Sequence, residues 1–342
     1  MNYYNPQTND LIVGAAFDAG GEQMCGWYIP LEDVSHSGPN SSFVEGTKFQ
    51  FAFDSTSLGE LKTCPRKYAW TIIDGWTHKI RPPALAFGIH LHKALETWHK
   101  LLASGMDKPT ALLRCVRLAG LLGEDIVSGD NTRSKETLVR TVVWYLGQFW
   151  DDKAVTVMLK NGRPAVEYSF VFPFERVNGI QTYLCGHIDR LARFHNEVLA
   201  CDYKTTKSQI DSRFFNKFKP NSQVELYLTA TNVLPTQDSV LENPASGLMV
   251  DAIQLGVNFT RFQRNVIPYS PEEIEDFIED TVLWLEIAEH YASANKWPAN
   301  ESACDLYGGC HFRPICQQKP QHRELALRSN FVQRTWDPLR SR

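Results

Sequence analysis

Apolar residues along this chain fall into blocks of different period, and each period predicts a different element. From Ala84 to Leu102 they recur at helical spacing, and Gly105 follows as a stop. Similar spacing predicts helices over residues 107–128 and 132–150, joined by the polar segment Ser128–Ser134. Upstream, Ser57-Leu58-Gly59-Glu60-Leu61-Lys62-Thr63-Cys64 predicts a helix with Ser57 as its N-cap. The period then changes. Val166–Phe172, Tyr183–Phe194 and Val198–Tyr203 are rich in β-branched and aromatic residues and predict a three-strand meander. His195-Asn196-Glu197 fits a tight turn between the last two strands. A helix opening at Pro220 or Asn221 and running to about Asn232 follows, then a strand over Leu248–Phe259. Ser270-Pro271-Glu272-Glu273 supplies a Ser cap, a Pro at the first helical position and acids in the first turn, predicting a helix to about Ala292. Residues 1–50 are expected to be irregular, with short strands near Leu11–Phe17 and Gln23–Ile29, and the tail from Asn295 is expected to be irregular too.

Helices, then a meander, then helix, strand, helix: this order predicts an α/β domain around a mixed central sheet, with a helical cap or insertion at about 105–150. At 342 residues the chain can form one large domain or two modest ones, and 43% hydrophobic with 22% charged residues suffices for a sizeable core. A formal net charge of −4 excludes a chain that is basic all over, so any nucleic-acid contact must come from a local patch. Met1–Ala15 lacks a charged segment followed by an apolar run, so no signal peptide is expected. No apolar run reaches the length of a membrane span, so no membrane partner is expected. A cytoplasmic location follows as the expectation. Disulfides are uncommon there, so the eight cysteines need another reading.

The chemistry concentrates where the second meander strand meets the third. Asp202-Tyr203-Lys204 ends an apolar run, and strand alternation puts Asp202 and Lys204 on one face. Asp189, in Gly186-His187-Ile188-Asp189-Arg190, falls near Asp202 if the strands form a hairpin about His195–Asn196. Two close carboxylates repel unless a cation sits between them, and hard oxygen ligands favour Mg²⁺ or Mn²⁺. A lysine beside such a site offsets charge building on a phosphate. By itself the pattern also fits a surface Asp and Lys at a strand end. Three neighbours add to it. His92 and Glu96 share a helical face, and a neutral imidazole can complete a carboxylate metal site. Gln223 and Tyr227 share a face on the following helix and suit contact with a phosphate or base, or equally a packed helix with polar tips. Lys204, Lys207, Arg213, Lys217 and Lys219 crowd one segment with Phe214, Phe215 and Phe218 interleaved, a composition suited to single-stranded DNA. A solvated loop with a few core aromatics gives the same pattern.

In this order, His92, Gly186-x-x-Asp189-Arg190, Asp202-Tyr203-Lys204 and Gln223-x-x-x-Tyr227 resemble the motifs of the PD-(D/E)XK nuclease superfamily. More narrowly they are similar to its RecB-like exonuclease branch, which includes the AddB nuclease domain and CRISPR-associated RecB-like exonucleases. The likeness runs from about Ser57 to Cys316. It implies a restriction-endonuclease-like core, with His92, Asp189, Asp202 and the Tyr203 carbonyl as metal ligands. It also implies Lys204 as the catalytic lysine and Gln223 with Tyr227 as an auxiliary motif near DNA. The second acid is often Glu in that family, and Asp202 is its shorter variant.

Cys304, Cys310 and Cys316 follow at equal intervals late in the chain, and Cys64 lies far upstream in Cys64-Pro65-Arg66-Lys67-Tyr68. Four such thiols suit Zn²⁺ or an iron–sulfur cluster equally well. The resemblance implies the second: RecB-like members with an early Cys-Pro and three late cysteines carry a 4Fe–4S cluster that staples the chain ends. The five residues between Cys304 and Cys310 exceed that branch's usual spacing. Cys25, Cys115, Cys185 and Cys201 read as small buried residues.

The chain is therefore expected to be a Mg²⁺- or Mn²⁺-dependent deoxyribonuclease, an exonuclease rather than an endonuclease. Its substrate would be single-stranded or free-ended DNA in recombination, repair or replication, with proteins of those processes as candidate partners. The expected layout is an N-terminal segment at 1–50, a nuclease domain at 51–316 with cluster-binding ends at 64 and 304–316, and a tail at 317–342. Arg66, Lys67 and Lys207 would grip DNA, and Glu96 would organise His92 or a metal-bound water. Two other classes fit the sequence: a DNA-binding or scaffolding subunit with a nuclease fold, and a zinc-stapled DNA-binding protein without hydrolysis.

Overall fold

A computed structural model describes residues 42–126, 131–233, 241 and 243–339, preceded by three short strands, β1 (Asn2–Asn5), β2 (Asp10–Val13) and β3 (Ile29–Pro30). Then come β4 (Ala52–Phe53), α1 (Ser55–Thr63), α2 (Pro65–Tyr68), β5 (Trp76–His78), the long α3 (Pro83–Ala103), α4 (Lys108–Leu122) and α5 (Lys135–Gln148). The middle of the chain forms β6 (Val155–Thr156), β7 (Val166–Val177), β8 (Ile180–Phe194) and β9 (Glu197–Thr206). The remainder supplies α6 (Ser212–Asn216), α7 (Ser222–Val233), β10 (Gly247–Leu255), β11 (Thr260–Pro268), α8 (Pro271–Ser293), α9 (Arg313–Cys316), α10 (Pro320–Asn330) and β12 (Phe331–Gln333). This is a mixed α/β fold. It divides into a central unit, Arg81–Tyr168 with His187–Ile274, and a terminal unit, Met1–Ile80 with Ser169–Gly186 and Glu275–Ser341.

In the central unit, α3 buries Phe87, Leu91, Ala94, Leu95 and Trp98, a stripe at helical spacing. It ends where Gly105 takes φ +84°, a left-handed conformation that glycine adopts without a Cβ clash. That stripe packs with Leu138, Val142 and Tyr145 of α5 against Tyr203, Ile253 and Leu255 of the sheet. Each fully buried Leu or Phe there contributes about 1.5–3 kcal/mol. β9 runs antiparallel to β8, with Arg190 opposite Cys201 and Phe194 opposite Glu197. The two-residue turn between them holds His195 at φ +54°, as such hairpin turns require. β10 lies parallel to β9, with Val250 opposite Asp202, and the parallel step needs the crossover that α6 and α7 supply. All nine residues of β10 are buried, as expected for a strand covered on both faces.

β11 is a strand the periodicity missed. It pairs antiparallel with β10 and alternates exposed and covered positions, so Arg261, Gln263 and Asn265 disguise it as a loop. The expected strand to Phe259 instead stops at Leu255, because Gly256 N–H donates to the Phe259 carbonyl (2.9 Å) and closes a turn.

The terminal unit holds two corrections. Helix α1 starts earlier than expected and its cap is Asp54. The Asp54 carboxylate accepts from Ser57 N–H (2.9 Å), and Ser57 Oγ accepts from Asp54 N–H (3.0 Å), so Ser57 is the returning half of a capping box. The tail is not irregular. α10 opens with Pro320 and buries Ala326 and Leu327 against Phe312, Ile315 and Phe331, while β12 pairs with β5. With two buried residues in eleven, α10 has too weak a period to read from sequence. The β7–β8 hairpin in this unit turns on Asn178 and Gly179, both at positive φ. Of the two early strands expected, 14–17 and 23–28 lie outside the described residues, as does Cys25. Among the described residues no helix is long and apolar enough to cross a membrane.

Candidate active site

Continuing the β8–β9 register one step beyond Arg190 and Cys201 sets Asp189 beside Asp202. Tyr203 N–H donates to Asp189 Oδ2 (3.4 Å), tying the hairpin together at this point. α3 brings in His92: its Nδ1 lies 3.3 Å from Asp189 Oδ2, and its Nε2 donates to the Tyr203 carbonyl (2.8 Å). Lys204 Nζ donates to Asp202 Oδ1 (3.0 Å) and to Gln223 Oε1 (3.1 Å). Gln223 Nε2 in turn donates to the Tyr227 hydroxyl (2.8 Å). Asn221 sets the start of that helix, its Oδ1 accepting from Gln223 N–H (3.1 Å) and Val224 N–H (3.3 Å). The structure thus draws His92, Asp189, Asp202, Tyr203, Lys204, Gln223 and Tyr227 into one connected constellation.

One member was absent from the sequence reading. Ligand atoms of His92, Glu167 and Asp189 lie within 4.8 Å of one another. Asp202 stands outside that close group. Glu167 opens β7 at φ +49°, a conformation non-glycine residues rarely adopt. Its signal was a lone acid in the apolar strand Val166-Glu167-Tyr168-Ser169-Phe170, passed over because the motif order does not include it.

Burial sets the electrostatics here. Burial pushes the Asp202 carboxyl up and Asp189's charge adds to that, against Lys204. For Asp189, burial acts upward too, but His92 and then Lys204 hold it below the usual carboxylate range. Burial would lower His92, yet the charge and hydrogen bond of Asp189, with Asp202 and the Tyr203 carbonyl, raise it to about 9. Burial likewise opposes the Lys204 ammonium, and Asp202 and Asp189 outweigh it. Among the described residues, Asp202 Oδ2 is buried without a hydrogen-bond partner, an acceptor that a cation would satisfy.

Strand alternation sends the neighbours of these residues to the other face. There Arg190 Nη1 donates to His99 (3.1 Å), and the Tyr203 hydroxyl lies 3.0 Å from His99 Nε2. Arg264 bonds Asp251 (2.6 and 2.8 Å) and Asp152 (2.6 and 3.0 Å), and Tyr145 donates to Asp251. Burial, then Arg190 and Arg264, push His99 far below its ordinary value, keeping it neutral as an acceptor. This network joins α3 and α5 to four strands and locks the frame from which the carboxylates project.

Other candidates fall elsewhere. Glu96 bonds Lys93 and Lys100 (2.8 Å each) on its own helix rather than His92, because both lysines lie one turn away. Phe214, Phe215 and Phe218 are buried, so they are core rather than a stacking platform. Lys217 lies over the Phe214 ring, and Lys219 pairs with Glu273 (2.8 Å). Lys207 and Arg213 are exposed. In the terminal unit, Lys67 pairs with Glu60 (3.0 Å), and Arg66 Nη1 reaches to 4.0 Å from Cys316 Sγ. Cys64, Cys304, Cys310 and Cys316 all border one cavity of about 220 Å³ in that unit. No three of their sulfur atoms come within 4.8 Å of one another, so they do not form a close cluster. Cys115, Cys185 and Cys201 are buried.

The family model of the PD-(D/E)XK nuclease superfamily matches residues 55–317, and the chain belongs to that superfamily. Its members are typically nucleases that hydrolyse DNA with divalent metal ions. No curated protein matches in sequence. Among solved structures the chain is similar to the crystal structure of SSO0001, at 11% identity over 68% of this chain and 76% of that one, with a TM-score of 0.29. That likeness is too distant to carry an argument.

Proposed function

We propose that the chain is a metal-dependent DNA exonuclease acting on single-stranded or free-ended DNA. The observation that carries the nuclease reading is the meeting of Asp189, Asp202, His92 and Lys204, with one buried Asp202 oxygen left unbonded. His92, Asp189, Asp202 and the Tyr203 carbonyl would hold the ion, with Glu167 adding a further carboxylate. Bound there, Mg²⁺ or Mn²⁺ supplies Lewis acidity and lowers the pKa of a coordinated water. Lys204, held by Asp202 and Gln223, presents fixed positive charge to the phosphodiester as charge builds on its oxygens. Tyr227 fixes Gln223 and so the ammonium. The preference for free ends rests on the likeness of motif order to RecB-like exonucleases.

Cys64, Cys304, Cys310 and Cys316 are assigned to a 4Fe–4S cluster that joins the two chain ends. All four thiols border one cavity, and that shared lining is what supports a common cofactor. The Asn300 N–H pointing at Cys64 Sγ (3.4 Å) supplies the kind of donor a thiolate ligand takes. Anaerobically purified protein should be brown, and a colourless zinc protein overturns the assignment.

The deciding experiment is Mn²⁺-dependent digestion of end-labelled linear and of circular single-stranded DNA, run beside Lys204→Ala. Linear DNA should be degraded and circles spared, and the variant should lose about 10²–10³-fold in kcat. Equal activity in the variant removes Lys204 from the chemistry. Cut circles make the enzyme an endonuclease.

A further inference from the structure

Three of the nine tryptophans in the chain, Trp70, Trp76 and Trp297, border one surface groove of about 490 Å³ in the terminal unit. The same groove is lined by four cations, Lys48, Arg66, Arg323 and Arg328, against two acids, Asp74 and Glu324. A local surplus of two positive charges thus sits on a chain whose net charge is −4. We infer that this groove binds a segment of single-stranded DNA, with phosphates on the cations and bases against Trp70 and Trp76. The inference rests on the nuclease reading above for its choice of nucleic acid.

The cations are arranged for an incoming anion. Arg323 is held by neutral acceptors: its Nε donates to the Gln318 carbonyl (3.1 Å) and its Nη2 to the Cys316 carbonyl (3.0 Å). These bonds fix the guanidinium and leave its charge uncancelled. Arg328 pairs with Glu324 one turn away on α10, both side chains being largely exposed (67% and 73%). A pair so exposed is weak, and a phosphate can displace its acid. Lys48 is exposed.

Two of the indoles, Trp70 and Trp76, are arranged for stacking. Trp70 and Trp76 are half-buried against the core formed by Phe312, Leu327 and Phe331, which holds them in place. Trp297 is nine-tenths buried, with its ring against Tyr68 and Tyr291 (centroids 5.2 and 5.8 Å). So buried a ring forms part of the groove wall, and stacking falls to the partly exposed Trp70 and Trp76. Duplex DNA keeps its base faces stacked inside, so indoles beside cations select a single strand.

The test uses the full chain without divalent metal, so that nothing is cleaved, and a fluorescein-labelled single strand of mixed sequence. Anisotropy gives affinity at several salt concentrations for the wild type and for Lys48→Glu/Arg328→Glu. Both positions are exposed, and an unchanged melting temperature confirms folding; each single variant serves if the pair does not fold. Affinity should drop at least tenfold, and the log–log salt slope should flatten by about 1.4, two phosphate contacts on a single strand. Binding should also quench tryptophan fluorescence. Unchanged affinity and slope overturn the inference, as does an equal loss on duplex DNA. A parallel Mn²⁺ cleavage assay of the wild type separates the two readings. Cleavage with an unaffected groove variant sinks the groove alone, and absence of cleavage sinks the nuclease reading.

Discussion

In the central unit, Asp189 stands against His92 and Asp202 against Lys204, so each carboxylate has a cation of the protein beside it. In the terminal unit, four thiols border a cavity, with an amide and a guanidinium as neighbouring donors. The first arrangement is self-compensated: the fold alone keeps its charges in place, and an ion would enter by displacing protons and side chains. The second offers four thiols around one cavity, and the proposed cluster would bridge them. On the proposed reading the two regions differ in what an occupant would do, chemistry in one and architecture in the other.

The sharpest way to break this contrast is Asp202→Asn. Mn²⁺-dependent cleavage should drop by about 10³-fold or more while the melting temperature holds, because burial and Asp189 already raise the Asp202 carboxyl above its ordinary value, so its charge adds no stability to the fold. A large loss of stability would show that the carboxylates are structural after all. Cys310→Ser should do the reverse. It should bleach the protein and destabilise it by about 2–4 kcal/mol, the scale of closing a long loop by a cross-link. An unchanged melting curve would mean that the cysteines bridge nothing.

A third measurement probes the self-compensation itself. The pKa of His92 is raised to about 9, so its proton stabilises the fold fully below the ordinary value near 6.5. That contribution fades as pH rises through 9. Metal binding requires the unprotonated ring. Mn²⁺ affinity by calorimetry should therefore climb about tenfold per pH unit from 7 toward 9 and then level off. A flat profile would remove His92 from the ligand set. The smallest effect is expected for Tyr227→Phe, which deletes the bond to Gln223. A net loss of about 0.5–1.5 kcal/mol should appear as a several-fold drop in kcat with little change in KM.

Asp202-Tyr203-Lys204 was readable from sequence because strand alternation fixes which residues share a face, and the meander supplied the hairpin that brings Asp189 near. His92 was readable because it falls within the helix that the spacing over 84–102 predicts. Glu167 was not, because its role depends on a left-handed backbone at the start of β7, and periodicity says nothing about single φ angles. Glu96 misled for a related reason. Spacing of four put it on the face of His92, but spacings of three and four also offered it Lys93 and Lys100, and those charges won. The phenylalanines of 214–218 looked like a DNA platform because composition does not distinguish a ring turned inward from one turned out. Edge strand β11 and helix α10 escaped because each buries too few residues to leave a period.

Asn300 reaches back to the first helix, its N–H donating to Cys64 Sγ and its Nδ2 to the Thr63 carbonyl (2.9 Å), across 236 and 237 residues of chain. On the ribosome this contact has a timetable. At roughly 5–20 residues per second, the Thr63–Cys64 corner waits about 10–50 s for its partner to be made. The central unit closes at Ile274, before that partner exists. The unit that is begun first is therefore finished last, and the Thr63–Cys64 corner at the end of the first helix spends that interval without Asn300. Nascent chains of this protein should engage holding chaperones through the first helix, and release should follow synthesis of the last cysteines.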